Sequence, residues 1–213
     1  MDNISIVIRN RNESEFIGFS IQSCLDHFDR PEIIIVDNYS SDDSLEVCSL
    51  FKDRTPIKVS KIDNYTPGKA LNMGVNLATR DYILILSAHC QIIEMDFAYI
   101  KTKIESFKGI FGKQNPIYRG KKISKRYIWS HFQDYEIENM YSSIENRPFF
   151  HNAFSFFKKS DYVDNPMPEE MPGKEDRYWA IEILEQKKNY LYTPKIAVNH
   201  FYTMGGATWK GIG

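Results

Sequence analysis

Short apolar runs alternating with amphipathic stretches dominate the first ninety residues, and few folds accommodate that order. Ile4–Ile8 (ISIVI), Glu32–Val36 (EIIIV) and Tyr82–Leu86 (YILIL) each have the length and composition of a buried strand, and Ile57–Val59 is a shorter one. Between them, Ser14–Phe28 carries apolar residues at Phe16, Ile17, Ile21, Cys24, Leu25 and Phe28. That is helical spacing, with Ser14 as candidate N-cap. Asp42–Phe51 and Pro67–Ala78 also read as helices, with Gly68 near the start of the latter. Strands alternating with helices at this spacing predict an α/β protein built on a doubly wound, mostly parallel central sheet flanked by helices. Right-handed crossovers then bring the strand carboxyl ends to one edge, where ligands bind.

Beyond residue 95 the pattern is less regular. Phe97–Phe107, Ile128–Tyr141 and Glu175–Lys188 read as helices; Gly109–Gly112, Phe149–Phe157 (FFHNAFSFF), Tyr190–Tyr192 and Ile196–Val198 read as strands. These elements are expected to extend the first sheet as a platform. At about 150 residues per domain as a soft prior, a chain of this length is one domain.

Composition excludes several classes. Formal charge is −1, from 27 basic and 28 acidic residues, so the chain has no global bias toward nucleic acid. Charge is nonetheless segregated: Lys101–Arg126 holds nine basic residues and one acid, and Asp161–Glu185 holds eight acids and two basic residues. Two solvated faces account for such runs, and a basic segment meeting phosphates or an anionic membrane accounts for them equally. Cys24, Cys48 and Cys90 are sparse and distant, which fits a reducing compartment and argues against a disulfide framework. The opening MDNISIVIRN lacks the basic start and long apolar stretch of a signal peptide. No apolar run approaches the roughly 18 residues of a membrane-spanning helix. A cytoplasmic protein is expected, with peripheral contact at the inner membrane face left open.

Polar segments follow the strands: RNRNES after Ile8, DNYSSDDS after Val36 and SAHC after Leu86. Caps explain Ser41 and Asp42. They explain Asp37 less well, and a carboxylate ending an apolar strand can accept two hydrogen bonds from a ribose or a base edge. A ligand is therefore expected at Asp37.

ISIVIRNRNE, IIIVDNYSSDDS, PGKALNMGVNLATRDYILIL, GKEDRYWA and AVNHF, in this order and spacing, resemble glycosyltransferase family 2. The likeness runs from about Ile4 to Tyr202. FGKQNP (Phe111–Pro116), HNAFSFFKKSDY and EDRYWA lean toward its rhamnosyltransferase-like branch. The resemblance implies a GT-A (Rossmann-like) fold with a C-terminal acceptor-side extension. Residues 1–95 would then bind the nucleotide sugar, and residues 96–213 would hold the acceptor and the catalytic groups. It further implies transfer, with inversion, from a nucleotide diphosphate sugar to a hydroxyl. The acceptor class it implies is a surface glycan such as capsule, O-antigen or exopolysaccharide, free or lipid-linked. By the same resemblance Asp37 binds the nucleoside, with Arg9 and Asn10 beside it. Asp63 is a base contact, Lys69 and Asn72 approach the donor, Ser87 binds the donor from the metal-motif position, and Gln114 lines the donor-sugar pocket. His151, Asn152 and Trp179 are expected on the acceptor side, with an edge strand and an apolar core as their alternatives.

The chain departs from the family at the metal motif. Where the family carries Asp-x-Asp for Mg²⁺ or Mn²⁺, this chain has Ser87-Ala88-His89. Three readings stay open. His89 and the late His200 hold a borderline metal such as Mn²⁺; or no metal is needed and His89, Lys69 or the basic segment stabilises the leaving diphosphate; or the site has decayed. Glu175 and Asp176 open the Glu175–Lys188 helix, where the helix dipole favours acids. The resemblance makes Asp176 the general base and Glu175 a positioning carboxylate. The rivals are a nucleotide-sugar-binding scaffold with a degenerate site, and a sugar-nucleotide nucleotidyltransferase. RNRNESEF lacks the glycines that the latter's phosphate loop requires. The tail TMGGATWKGIG is either a lid or a loose end.

Overall fold

The computed structural model describes residues 2–123 and 126–204. In chain order the elements are β1 (Ile4–Asn10), α1 (Ile17–His27), β2 (Glu32–Asp37), α2 (Ser44–Ser49), β3 (Ile57–Lys61), α3 (Pro67–Leu77), β4 (Tyr82–Ser87), β5 (Cys90–Glu94), α4 (Phe97–Lys103), β6 (Ile110–Tyr118) and β7 (Lys121–Lys122). A 3₁₀ turn at Tyr127–His131, β8 (Ile137–Glu138), β9 (Tyr141–Ser142), β10 (Arg147–Pro148), β11 (Phe154–Lys158), α5 (Lys159–Asp164), α6 (Glu175–Glu185) and β12 (Leu191–Phe201) follow. The main sheet runs in the order β3-β2-β1-β4-β11-β6-β12-β5.

The apolar runs are apolar at successive positions because both faces of the sheet are covered. Ile4, Ile6, Ile8, Ile33, Ile35, Leu84 and Leu86 pack on one side with Ile17, Ile21 and Cys24 of α1. Val7, Ile34, Val36, Ile83 and Ile85 pack on the other with Leu71 and Val75 of α3. Each such burial contributes about 1.5–3 kcal/mol, which makes this double-sided slab the rigid part of the molecule. β1 runs parallel to β2 and β4, and β2 to β3. In that register Asn10 stands opposite Asp37 and Arg9 opposite Ser87, so three polar strand ends meet in one row.

Helix α3 lies very close to its neighbours. It opens on Thr66, whose side chain accepts from the Lys69 N–H, with Pro67 in the first turn. A Cβ on Gly68 would stand 2.1 Å from the Pro168 carbonyl oxygen, and one on Gly74 would stand 2.3 Å from Val7 Cγ1. Backbone cannot yield as a side-chain tip can. Gly68→Ala is therefore expected to cost about 1–3 kcal/mol, read as a lower urea midpoint at unchanged slope. An unchanged midpoint would show that the 167–169 loop gives way freely.

Several boundaries differ from expectation. Ser14 does not cap α1: the helix begins at Ile17 without a side-chain cap, and the Ser14 N–H donates to Asp42 Oδ2 at 2.9 Å. Ile128–Tyr141 is not a helix. Ile128, Trp129 and Phe132 turn into the core from one short 3₁₀ turn, Asn139 takes a left-handed φ of 51°, and Ile137–Glu138 pairs with β12. The helical spacing there reflected aromatic residues aimed at one cluster. Tyr190–Tyr192 and Ile196–Val198 belong to one strand, β12, whose register against β6 shifts between Thr193 and Ala197. Pro194, which has no N–H to give the ladder, falls within this shift. β11 enters antiparallel between β4 and β6, so the sheet is parallel in its first half and mixed in its second. β5 and α5 were not anticipated.

Among the described residues no helix is long and apolar enough to cross a membrane. Cys24, Cys48 and Cys90 are free and buried. The basic stretch is partly neutralised locally: Lys108 pairs with Asp161, Lys113 with Asp134, and Lys101 and Lys103 lie over the rings of Phe97 and Tyr99. Arg119, Lys121 and Lys122 stay exposed at the β6–β7 hairpin.

Candidate active site

A cavity of about 1210 Å³ opens at the carboxyl ends of β1 and β4. Arg9, Asn10, Ser87, His89, His151, Asn152, Glu175 and Asp176 all line it. Residues from the end of the first strand and from the start of α6, more than 160 positions apart in the chain, thus share one wall.

The acidic pair is buried and hydrogen-bonded into the wall, with accepting capacity left on both carboxylates. Glu175 Oε1 accepts from Asn152 Nδ2 at 2.8 Å and from Arg9 Nη1 at 3.1 Å. Asp176 Oδ2 accepts from the Asn152 N–H and from Arg177 Nη1, each at 3.1 Å, and Oδ1 accepts from the Arg177 N–H at 2.9 Å. Burial disfavours the Arg9 charge, but Tyr65, Glu175 and Asp176 more than offset it and hold the guanidinium above its ordinary range. The same balance, with Asp176 and Glu145 as the counter-charges, raises Arg177. Burial favours neutral Glu145, yet Arg177 outweighs it and keeps that carboxyl below its ordinary value. Charge-assisted hydrogen bonds of this kind pre-set the wall before any ligand arrives.

A histidine chain runs from the cavity lining, at His89 and His151, to the buried His200 behind it. His89 Nδ1 lies 3.1 Å from Glu13 Oε1, and His200 Nδ1 lies 2.8 Å from Gln114 Oε1. The two Nε2 atoms face each other at 3.1 Å. Burial, with His89 and His151 nearby, pushes His200 well below its ordinary value. Burial and then Arg177 do the same to His151, so both rings are neutral.

These contacts decide whether a divalent ion fits. A ring that donates from Nδ1 to a carboxylate or an amide oxygen presents a bare Nε2, which is the outer-shell pattern of metal-binding imidazoles. The 3.1 Å contact between the two Nε2 atoms is satisfied either by an N–H of one ring donating to the other or by a cation that both nitrogens bind. In the second case His89 and His200 offer two nitrogen ligands of the kind a borderline ion such as Mn²⁺ accepts. Among the described residues no three His, Cys, Asp or Glu side chains converge as a metal cage. Any further ligands would be oxygens from elsewhere, a bound diphosphate above all.

Other expected site residues do something different. Asp37 is fully buried and off the cavity wall; its carboxylate accepts from Asn10 Nδ2 at 2.9 Å, the Ser40 N–H at 3.0 Å and the Ser40 hydroxyl at 2.6 Å. It ties down the loop after β2 and orients Asn10, and it lies directly behind the lining residues Asn10 and Asn38. Asn72 has all four of its hydrogen-bonding positions taken, by Met167 O, Glu169 Oε1, Tyr162 OH and Met167 N, and clamps the loop leading to α6 instead of meeting a donor. Asp63 accepts from the Tyr39 hydroxyl and Lys69 Nζ donates to the Asp63 carbonyl at 3.2 Å, both outside the cavity lining. Gln114 is buried behind the wall, not on it. Trp179 is 1% exposed in the core against Phe150 and Phe157, with Nε1 donating to the Asn165 carbonyl, so it is no acceptor platform. Thr203 and Met204 reach the cavity; the remainder of the glycine-rich tail lies outside the described residues.

Sequence reasoning missed Glu13, Tyr65, Glu145 and Arg177. Arg177 directly follows the acidic pair, which was a usable signal. Glu13 and Glu145 had none, because only the fold brings them to His89 and Arg177.

This architecture is shared by solved glycosyltransferase structures and is GT-A-like. Staphylococcus aureus TarS 1–349 in complex with UDP-GlcNAc has a TM-score of 0.72 at 17% identity, over 98% of this chain and 61% of that one. GalNAc-T7 with UDP, GalNAc and Mn²⁺ has a TM-score of 0.73 at 15% identity, over 95% of this chain and 44% of that one. At such identities the likeness is one of fold.

Residues 5–164 match glycosyl transferase family 2, and the chain belongs to that family. It is 29% identical over 179 residues to the poly-beta-1,6-N-acetyl-D-glucosamine synthase of Staphylococcus aureus, covering 77% of this chain and 41% of that protein. It is 30% identical over 114 residues to the minor teichoic acid biosynthesis protein GgaA of Bacillus subtilis, covering 50% of this chain and 24% of that protein. The chain thus spans less than half the length of either relative.

Proposed function

We propose that this chain transfers a sugar, with inversion, from a uridine diphosphate sugar to a hydroxyl of a surface polysaccharide or teichoic-acid-type glycan. The observation that carries the reading is the shared cavity, which is lined by both the Asp176 carboxylate and His89, with His200 buried directly behind His89. The uridine nucleotide is supported by the UDP and UDP-GlcNAc complexes of the fold neighbours, and the acceptor class by the two curated relatives.

Asp176 takes the proton from the acceptor hydroxyl. The acceptor oxygen bonds to the anomeric carbon from the face opposite the diphosphate, and the bond from that carbon to the diphosphate oxygen breaks. UDP leaves with the bonding pair, and the proton rests on Asp176. Glu175, held by Asn152 and Arg9, fixes the first turn of α6 so that the base is aimed into the cavity. His89 and His200 would hold the divalent ion, which when bound supplies charge neutralisation for the leaving diphosphate. The protein works on the cytoplasmic side, where sugar nucleotides are made, with the exposed Arg119, Lys121 and Lys122 available to an anionic acceptor or membrane surface.

A thermal-shift series with UDP, UDP-sugars and other nucleotide diphosphates, with and without Mn²⁺, tests this reading. Native-state binding raises the melting temperature, by about 2.7 kcal/mol of added stability at one hundred times Kd. UDP-sugars with Mn²⁺ are expected to give the largest shift, and His89→Ala is expected to remove the Mn²⁺-dependent increment. Equal shifts with Mn²⁺ and with EDTA would eliminate the metal. Binding without transfer to any polysaccharide or teichoic-acid acceptor would favour a non-catalytic sugar-nucleotide binder.

A further inference from the structure

Gln114 stands where neither the cavity nor the apolar core calls for an amide. It is 2% exposed, sits on β6, and spans two histidines: Oε1 lies 2.8 Å from His200 Nδ1 and Nε2 lies 2.9 Å from His151 Nδ1. The Ala153 N–H also lies 3.4 Å from His151 Nδ1. A backbone N–H can only donate, so His151 Nδ1 is the accepting nitrogen and the ring's hydrogen is on Nε2. This orients the amide, with its NH₂ toward His151 and its oxygen toward His200. His200 must then carry its own hydrogen on Nδ1, leaving Nε2 bare toward His89.

We propose that Gln114 is a positioning residue that relays the tautomer of His151, anchored by the Ala153 N–H, to His200, so that His200 serves as a nitrogen ligand while His151 is an N–H donor on the cavity wall. Few side chains can do this, because the task needs an acceptor and a donor on one rigid plane with enough reach. The His200 half rests on the reading of His89 and His200 as a metal pair. The His151 half gives the cavity a donor for an oxygen of the bound sugar or the acceptor. Two ends of the reaction site are thereby coupled through one buried amide, with no residue shared between them on the cavity surface.

Long-range ¹⁵N–¹H correlation spectra of the metal-free full chain, with histidine labelled and each ring assigned by substitution, read the tautomers directly. Wild-type protein is expected to show the Nδ1–H form at His200 and the Nε2–H form at His151. The opposite tautomer at either ring overturns the proposal. Gln114→Met keeps the volume and removes the hydrogen bonds, so a purely packing role would leave everything unchanged. It is expected to turn His200 into a tautomer mixture, to leave His151 in the Nε2–H form that the Ala153 N–H holds, and to weaken Mn²⁺ binding, measured by electron paramagnetic resonance with UDP present, by about 10–100-fold. An unchanged His200 tautomer in that variant, or unchanged Mn²⁺ affinity, overturns the role of Gln114. Wild-type protein that shows both tautomers and takes up no Mn²⁺ refutes the metal reading while supporting the tautomer assignment.

Discussion

Asp176→Asn is expected to lower sugar transfer by about 10²–10⁴-fold, the contribution of a positioned general base, while donor binding stays intact. The reason lies in what the substitution changes and what it leaves. Asn keeps the shape but loses the basic lone pair and the charge. One of its positions becomes an NH₂ facing donors, because the Asp176 oxygens now accept from the Asn152 N–H, Arg177 Nη1 and the Arg177 N–H. A lost pair of that kind costs about 1–3 kcal/mol. That is well short of the 5–15 kcal/mol that keeps a domain folded. The chain should therefore remain native, and a melting curve run alongside separates lost chemistry from lost structure. Donor binding is read by the UDP-sugar thermal shift and transfer by release of UDP with acceptor present. Wild-type turnover in the variant would remove Asp176 from the mechanism.

Trp179→Ala should act on stability instead of on acceptor saturation. The indole is buried among Phe150, Phe157 and Tyr190, and its Nε1 donates to the Asn165 carbonyl at 2.8 Å. Gly109 makes room for it: a Cβ there would stand 2.7 Å from Trp179 Cη2. Deleting so large a side chain from a packed core costs about 3–5 kcal/mol. For a chain of this size that lowers the melting temperature by roughly 6–20 °C. An unchanged melting temperature with a raised acceptor KM would restore Trp179 to the cavity wall and show that the helix presents a different face in solution.

These two residues show how far a sequence can be read. Both stand on one helix, three positions apart, and both carry chemistry that a sugar site could use. Nothing in the local pattern says which of them meets the cavity. That depends on how α6 is rotated against β10 and β11, a matter of long-range packing. Asn72 and Asp37 pose the same difficulty. Each occupies a motif position next to a ligand edge and is held by protein partners, Asn72 at all four of its positions and Asp37 through three accepted hydrogen bonds. A buried polar group must be paired, and only the tertiary contacts reveal whether its partner is protein or ligand.

What the sequence determined by itself is the parallel half of the sheet, its ligand edge and the candidate pairs on that edge. The apolar runs of β1, β2 and β4 can be buried only between two helical layers, and the period of α1 and α3 supplies those layers. His89 with His200, and Glu175 with Asp176, were visible as residue types at motif positions. What the tertiary structure alone decided is the company those residues keep: Glu13 at His89, Gln114 between His200 and His151, and Arg177 between Asp176 and Glu145. The physical reason is range. Periodicity and capping act over a few residues and leave their mark in the local chain. Hydrogen bonds between side chains a hundred positions apart exist only once the sheet has closed, and they fix tautomer, charge and access.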